Sequence, residues 1–386
     1  MFSISVIESF LVYTSLLFII PMLGHTADQI YCRRNIYSHY SYLGVLLCII
    51  LIFSIVFGAR YKVGIDFLNY KRIYEVIQQG TKTDDIIEPG FFIICKVIGG
   101  LGLHYFFFFF FFCCIQVSFI IAAFKNRPEL LPWIFIILLS TQFLVMMNLV
   151  RQMTFVCCFI WLVSRSHKIS FLKYGIIIAL CTFFLHKSAL LALPLYPIIR
   201  YDKNLSGSYR FQNLFYWLCI YLGYSHFILD KFEDFSLIAS ALGYSQYEGF
   251  NVLEALFMDP NWGARTYIRI ALVMTTILYS HSVRAYFNKD DKYIRFYNLF
   301  FWGVCAEIVL YGTNVIARVF LPLYYMKLVI FAYTLYFLSI NVRRNYKIFF
   351  MWIVYVGLLL MDYSSIFYEA TLPDNSSAFQ FFWQAD

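Results

Sequence analysis

Arginines, carboxylates and a histidine stand at the ends of long apolar segments, and these residue types suit anion binding and proton transfer. A guanidinium group stays charged and offers forked donors to phosphate oxygens, whereas a carboxylate or an imidazole can accept the proton of a hydroxyl group. Ionisable groups at membrane depth are costly and usually face a cavity. The residues concerned are Arg60, Gly64, Asp66, Tyr70, Glu88, Gly90, Arg151, Gln152, His186, Lys187, Ser188, Arg265, Arg269, Asn314 and Arg318.

The arginines predict a site for a multiply charged anion, and a lipid pyrophosphate is the anion expected at a membrane surface. Arg265 and Arg269 are one helical turn apart, and Asn314 and Arg318 repeat that spacing. Pyrophosphate held by arginines is a good leaving group without a metal ion. The residues alone leave the general base open among Asp66, Glu88, Glu248 and His186.

Each of these residues also has a purely structural interpretation. Arg60 and Arg151 could reach the headgroup region as ordinary cations at helix ends. His186 could be a common interfacial residue, and Arg265 and Arg269 could pair with carboxylates of a neighbouring loop. The grouping of all of them on one predicted side of the membrane favours chemistry over these alternatives.

The composition places the chain in a membrane. Of its 386 residues, 61% are hydrophobic and 13% are charged, which is too apolar for a soluble globule of this length. The ten cysteines lie almost entirely within apolar stretches, without metal-binding spacing, and we interpret them as small buried hydrophobes. Glycine-rich phosphate loops, HExxH and GxSxG are absent from the sequence. We therefore expect no metal ion, no cofactor and no nucleic-acid partner.

Hydropathy predicts an all-α, polytopic integral membrane protein that forms a single domain over residues 1–386. A spanning helix needs about 20 mainly apolar residues. About 12 transmembrane helices are predicted, at 3–23, 42–59, 104–124, 129–147, 150–164, 169–186, 188–200, 211–229, 265–282, 294–312, 317–340 and 348–363. The apolar segment 89–103 contains Pro89 and several glycines, so it is predicted as a re-entrant or interfacial helix on the outer face.

The distribution of Lys and Arg predicts the orientation, because short cytoplasmic loops carry an excess of both. One set of alternate loops carries more than half of the 30 basic residues and is assigned to the cytoplasm. These loops are 24–41, 125–128, 164–173, 200–210, 283–295 and 341–347. The opposite set faces outward with both termini, and it includes the segments 60–103 and 230–264, which we expect to face the substrate.

Four blocks of the sequence carry a resemblance to a known family. They are Arg60-x-x-x-Gly64-x-Asp66-x-x-x-Tyr70, Glu88-x-Gly90-Phe91, Asn148-x-x-Arg151-Gln152 and Phe184-x-His186-Lys187-Ser188-Ala189-Leu190. In order and spacing, the chain resembles the EpsG family of polysaccharide polymerases, relatives of the Wzy-type O-antigen polymerases. Arg318 with Tyr324-Tyr325 is a weaker echo, and the loop 230–264 matches no pattern of the family.

The resemblance implies a metal-independent glycosyltransferase in the bacterial cytoplasmic (inner) membrane, with its active site facing the periplasm or the cell exterior. Both donor and acceptor would be undecaprenyl-pyrophosphate-linked oligosaccharides, and the product would be O antigen of lipopolysaccharide, capsule or exopolysaccharide. Asp66, Arg151 and His186 would be catalytic. The residues that would bind pyrophosphate or saccharide are Arg60, Tyr70, Glu88, Gln152, Lys187, Arg265, Arg269 and Arg318. The need for a chain-length regulator or a flippase as a partner stays open.

Two alternatives share parts of this description. A flippase or transporter of lipid-linked oligosaccharide predicts charged residues through the full membrane depth, whereas Lys327 is the main deep cation here. An O-antigen ligase would use similar chemistry with a different acceptor. Glu307, near a helix end, is predicted to be a buried partner for an arginine rather than a catalyst.

Overall fold

A computed structural model describes residues 4–33, 36–80, 88–225, 262–287, 291–311, 314–370 and 377–384. The chain divides into two units, residues 1–197 with 331–386 (unit 1) and residues 198–330 (unit 2). Helices make up almost the whole of the described chain, and the two short strands pair with each other. The all-helical prediction is confirmed, and the chain is a membrane-embedded protein.

Unit 1 contains the first ten α-helices and the last. They are α1 (Ile4–Cys32), α2 (Ile36–Ala59), α3 (Phe67–Gln78), α4 (Pro89–Gly100), α5 (Tyr105–Phe124), α6 (Leu131–Ile137), α7 (Phe143–Asn148), α8 (Val150–Arg165), α9 (Phe171–Phe184), α10 (Tyr196–Arg200) and α17 (Tyr346–Glu369). The boundary between the units falls within α10. Helix α5 packs against both α2 and α8, and α1 packs against α2 and α6.

Unit 2 holds the remaining described helices. They are α11 (Tyr209–Tyr224), α12 (Ala264–Tyr286), α13 (Asp291–Val309), α14 (Asn314–Val319), α15 (Leu321–Tyr324) and the beginning of α16 (Lys327–Asn341). Helix α13 packs against α11 and α15. A buried hydrogen bond of 2.6 Å, from the hydroxyl of Tyr297 to Oε1 of Gln212, joins α13 to α11.

Local signals in the sequence explain where several helices begin. Pro89 occupies the first turn of α4, where its missing N–H costs nothing. Ser170, Ser208 and Asn345 precede α9, α11 and α17, and each side chain accepts a hydrogen bond from a backbone N–H of the first turn. These residues define where the four helices begin.

Six described helical stretches are long and apolar enough to cross a membrane. They are Val6–Cys32, Tyr37–Ala59, Tyr105–Phe124, Pro128–Asn148, Leu321–Asn341 and Tyr346–Tyr368. Two shorter apolar helices are Pro89–Gly100 and Phe171–Phe184. The larger number of about 12 spans stays a prediction, as does the re-entrant or interfacial placement of 89–103.

Three of the predicted spanning segments are not single regular α-helices, and two of them are interrupted near a proline. Segment 188–200 consists of a 3-10 helix, Lys187–Leu195, followed by α10, because Pro194 lacks the N–H needed to continue a regular helix. Segment 317–340 is broken into α14, α15 and α16, with Pro322 in the first turn of α15. Neither segment is one regular α-helix, although Leu321–Asn341 is still long and apolar enough to cross a membrane.

The segment 129–147 contains a π-helical turn, Leu138–Gln142, between α6 and α7. Within it the hydroxyl of Thr141 donates a 2.8 Å hydrogen bond back to the carbonyl of Ile137. Such bonds compete with the regular ladder and bend a helix. The stretch Pro128–Asn148 is still long and apolar enough to cross a membrane.

The segment after α2, which was predicted as an outer loop, contains regular structure. It contains α3, which buries Phe67, Tyr70, Ile73, Tyr74 and Ile77 on one face. Directly before it, β1 (Arg60–Tyr61) pairs antiparallel with β2 (Gln380–Phe381) from the end of the chain. The residues 230–261 of the other predicted outer loop, and with them Glu248, lie outside the described part.

Candidate functional site

An ion pair between Glu88 and Arg151 forms the centre of a polar cluster in unit 1. Nη1 of Arg151, in the first turn of α8, donates to Oε2 of Glu88, the residue that precedes α4. The side chains are 17% and 6% exposed, respectively. The guanidinium carbon also lies 4.8 Å from the ring centre of Phe91 and 5.7 Å from that of Tyr70. The pair is therefore almost wholly removed from water.

The second oxygen of Glu88 holds the loop that follows α9. Oε1 accepts a 3.2 Å hydrogen bond from the backbone N–H of Lys187. Gly90, two residues later, makes this approach possible, because a Cβ at that position would lie 2.6 Å from Cα of Phe184. At the contact between α4 and the end of α9, Glu88 therefore meets Lys187 and Gly90 meets Phe184.

His186 is fixed by the 3-10 helix that it precedes. Its Nδ1 accepts a 3.2 Å hydrogen bond from the backbone N–H of Ser188 and lies 2.8 Å from that residue's hydroxyl. Because Nδ1 accepts a hydrogen bond from an N–H group, a neutral imidazole carries its proton on Nε2. Nε2 lies 3.4 Å from the amide nitrogen assigned to Gln152. Exchanging the amide atoms of Gln152 turns this contact into an Nε2–H to oxygen hydrogen bond.

Two buried polar atoms of the cluster have no hydrogen-bond partner within the described part of the chain. They are Nε of Arg151 and the atom assigned as Oε1 of Gln152. Gln152 is 6% exposed, so this amide end is shielded from water as well. Buried polar groups are normally paired, so each unpaired one needs an explanation, and a bound ligand is one of them. The two residues side by side at the start of α8 present one donor and one amide group that can still form bonds.

Asp66 belongs to a tight turn that packs against the segment preceding Arg151. Its backbone N–H donates a 2.8 Å hydrogen bond to Oδ1 of Asn148. Gly64 has a φ of +90°, and a Cβ there would lie 3.1 Å from Cα of Asn148. The carboxylate of Asp66 is half-buried at the start of α3 and does not cap that helix. Asn148, which has no role in the predicted site, therefore joins the first motif to the third.

Arg60 lies in the interior of unit 1 and not at its surface. Its side chain is fully buried, with Nη1 donating to the carbonyl of Phe57 at 2.7 Å and Nη2 to that of Met147 at 2.9 Å. The rings of Phe57 and Phe109 lie 3.9 Å and 4.2 Å from the guanidinium carbon. Burial lowers the pKa of Arg60 to about 9, which leaves it charged at neutral pH. In this position it ties the end of α2 to the turn before Asn148.

Unit 2 carries the other predicted arginines. Arg265 and Arg269 are half-buried on the first turns of α12, and Arg318 is half-buried on α14. Arg269 and Arg318 both act electrostatically on Tyr324, as does Glu307. These three arginines belong to unit 2, whereas Glu88 and Arg151 belong to unit 1.

Glu307 pairs with a lysine and not with an arginine. Nζ of Lys327 lies 2.7 Å from Oε1 of Glu307, and the Lys327 side chain is 7% exposed. The prediction of an arginine partner was wrong. The deep position of Lys327 could have revealed the pair, because a buried ammonium group requires a counter-charge.

An aromatic cluster surrounds Trp262 near the start of α12. The ring centres of Tyr224, Tyr267 and Tyr311 lie 5.5 Å, 6.0 Å and 5.5 Å from that of Trp262. Tyr311 also shares a 2.6 Å hydrogen bond with the hydroxyl of Thr266. Nε1 of Trp262 is buried and has no hydrogen-bond partner among the described residues.

The structure thus brings together most, but not all, of the predicted site. Tyr70, Glu88, Arg151, Gln152 and the loop at His186 form one cluster, which we call the Glu88–Arg151 cluster. Asp66 is attached to it through Asn148, and Arg60 lies behind the same turn. Arg265, Arg269 and Arg318 all belong to unit 2, and contact of any of the predicted site residues with a substrate stays a prediction.

Comparison with known proteins gives one match. A model of the EpsG family matches residues 44–376, which includes every residue of the predicted site. No curated protein and no solved structure matches the chain.

Proposed function

Because the chain belongs to the EpsG family, we propose that it polymerises lipid-linked oligosaccharide repeat units. The repeat units would be carried on undecaprenyl pyrophosphate, and the product would be O antigen, capsular polysaccharide or exopolysaccharide. The reaction would take place on the outer face of the bacterial cytoplasmic membrane, and the distribution of Lys and Arg among the loops, which predicts that side for the polar motifs, supports this.

The observation that supports this proposal most is the convergence of four distant motifs on the Glu88–Arg151 pair. Glu88 binds Arg151 with one oxygen and the backbone of Lys187 with the other. Tyr70 lies under the guanidinium group, and Gln152 reaches His186. Buried ionisable groups in a membrane protein are costly and usually mark a functional site, so this ion pair supports a reaction on a polar substrate.

The proposed reaction is a glycosyl transfer. A hydroxyl oxygen of the acceptor attacks the anomeric carbon of the donor sugar, the bond from that carbon to pyrophosphate breaks, and undecaprenyl pyrophosphate leaves with the bonding electrons. The hydroxyl proton must pass to a base. Both oxygens of Glu88 and Nδ1 of His186 are already engaged. We assign the base to the carboxylate of Asp66, which is half-buried at the start of α3 and is joined through Asn148 to the segment before Arg151, and His186 would position the acceptor.

For the leaving group, we keep the roles that the sequence predicts. Guanidinium groups stabilise the charge that develops on a departing pyrophosphate without a metal ion. The sequence predicts this role for Arg265, Arg269 and Arg318, whereas Lys327 is paired with Glu307. Glu88 balances the charge of Arg151. The unpaired Nε–H of Arg151 is therefore better suited to donate to a neutral saccharide oxygen than to bind a phosphate group.

The test is the length of the glycan made by cells that lack this chain. Wild type, Arg151→Ala, Asp66→Asn and the control Arg343→Ala, an exposed arginine of a predicted cytoplasmic loop, are each returned to the deletion strain at matched protein levels. We expect a single repeat unit in the deletion strain and in both site variants, and a full ladder with wild type and Arg343→Ala.

Other outcomes would select the alternatives. Absence of any repeat unit at the surface of the deletion strain would indicate a flippase or transporter. Full-length polymer that stays on its lipid carrier would indicate a ligase. A normal ladder with Arg151→Ala would remove Arg151 from the site.

A further inference from the structure

Unit 2 contains a cavity of about 340 Å³ that the proposed reaction does not use. It lies among the start of α11, the last turns of α12 and the first turns of α13. The lining residues are Asn204, Gly207, Ser208, Tyr209, Gln212, Ser280, His281, Arg284, Tyr293, Ile294 and Tyr297. The volume is at the small end of the range of ligand pockets, about 300–1,000 Å³. The cavity shares no residue with the Glu88–Arg151 cluster.

The floor of the cavity is rigid. Tyr297 donates a 2.6 Å hydrogen bond to Oε1 of Gln212, and Nε2 of Gln212 donates a 3.1 Å bond to the carbonyl of Gly207. The ring of Tyr293 stacks on that of Tyr297 with 5.8 Å between centres. Gln212, Tyr293 and Tyr297 are each at least 98% buried. Side chains held in this way lose little freedom when a ligand binds.

The loop along one wall is also built by side-chain bonds. Asn204 donates to the carbonyl of Gly207 at 2.7 Å and accepts from the N–H of Ser206 at 2.9 Å. Ser208 then caps α11 by accepting from the N–H of Phe211 at 3.3 Å. A loop that only connected two helices would not need this degree of order.

The charge of the lining is positive. Arg284 and His281 are exposed on the last turns of α12, and none of the lining residues is acidic. Within the described part of the chain neither Arg284 nor His281 is held by an ion pair or a hydrogen bond. The hydroxyl of Ser208 and the amide of Asn204 also line the cavity, whereas the hydroxyl of Ser280 donates to the carbonyl of Ile277. A guanidinium group with neutral hydrogen-bond donors beside it is a common arrangement for binding a phosphate group.

We propose that this cavity binds a phosphate group, such as that of an anionic phospholipid headgroup. The loops that form it, 200–210 and 283–295, are among those predicted to face the cytoplasm. Basic pockets between helices on that side meet the anionic headgroups of the inner leaflet. The site would couple the protein to the anionic lipid content of the membrane, on the side opposite to the proposed polymerisation.

The experiment titrates the purified full-length protein in an uncharged detergent. The probes are dihexanoyl phosphatidylglycerol, inorganic phosphate and dihexanoylglycerol, which lacks phosphate, and binding is followed by microscale thermophoresis. The variants are Arg284→Gln, His281→Gln and the control Arg343→Gln, all at exposed positions that do not support the fold. We expect Arg284→Gln to weaken phosphatidylglycerol binding about tenfold, equivalent to about 1.4 kcal/mol, and Arg343→Gln to leave it unchanged.

The probes distinguish the source of the phosphate. Binding of phosphatidylglycerol that depends on Arg284 supports the proposal with a lipid as the ligand. Binding of inorganic phosphate that depends on Arg284, without lipid binding, supports it with a free anion. Equal effects of Arg284→Gln and Arg343→Gln, or equal binding of dihexanoylglycerol, would overturn it, because the attraction would then be general charge or apolar contact.

Discussion

Separating the charge of Glu88 from its other contacts gives the most demanding test of the site. Glu88→Gln keeps the shape of the side chain and an acceptor for the N–H of Lys187 but removes the negative charge facing Arg151. Arg151→Met removes the guanidinium group and keeps an unbranched chain. The two changes and their combination form a double-mutant cycle.

The expected energies follow from the burial of the pair. Glu88 is 6% exposed and Arg151 17%, so either single change leaves a charge largely out of water without its partner. Breaking a buried ion pair in this way costs about 3–5 kcal/mol. Because Arg151 retains some contact with water, we expect about 3 kcal/mol from each single variant. The double variant should lose about 3 kcal/mol rather than the sum of about 6 kcal/mol, because it loses the contacts of both side chains but buries no unpaired charge; the coupling energy is then about 3 kcal/mol.

The assay is denaturant unfolding of the purified protein in detergent, and a surface pair provides the matched control. Lys71 and Glu75, four residues apart on α3, lie 3.3 Å apart and are 26% and 41% exposed. Their cycle should give a coupling of about 0.5 kcal/mol. A Glu88–Arg151 coupling no larger than that of the control would refute the assignment of a buried pair.

The same variants separate stability from activity. Polymer length is measured in cells that produce each variant at an equal level. We expect the double variant to be as stable as the singles and to make no polymer, because the free Nε–H of Arg151 is lost with its charge. A double variant that restored the glycan ladder would show that the pair supports only the fold.

Three further predictions concern packing around the site. Gly90→Ala places a methyl group 2.6 Å from the backbone of α9 and should cost about 2–3 kcal/mol in denaturant unfolding, whereas Gly100→Ala on the same helix has nothing within 4 Å and should cost nothing. Deleting residues 377–386 removes the strand that pairs with β1, and the resulting loosening of the turn that follows should shorten the glycan ladder; an unchanged ladder would contradict it. Lys327→Met leaves Glu307, 30% exposed, without its cation and should lower stability by about 2 kcal/mol, and adding Glu307→Gln should recover part of that loss.

The roles of individual charged residues show where sequence reasoning ends. Arg60 and Arg151 have the same residue type and similar positions beside apolar segments, yet the first is enclosed by carbonyls and aromatic rings and the second faces a carboxylate. Nothing in the spacing separates the two cases. The partners come from residues 87 and 63 positions away, such as Met147 for Arg60 and Glu88 for Arg151.

The positions at which helices break were also beyond the sequence-based predictions. Hydropathy averages over a window, so it found the apolar segments at 188–200 and 317–340 but could not show that Pro194 and Pro322 interrupt them. The amphipathic helix α3 was missed because its mean polarity is high although one face is buried. Asn148 was also missed as a link, since its role depends on the turn at Gly64.

The sequence by itself determined that the chain is embedded in a membrane, that it is helical and to which family it belongs. An apolar run of sufficient length has to satisfy its backbone internally, and the four motifs keep their spacing along the chain. Only the tertiary structure decided which charges meet, because a counter-charge is defined by distance in space. It paired Glu88 with Arg151 and Glu307 with Lys327, and it enclosed Arg60. The physical reason is that desolvation makes every buried charge depend on neighbours that packing, and not chain order, supplies.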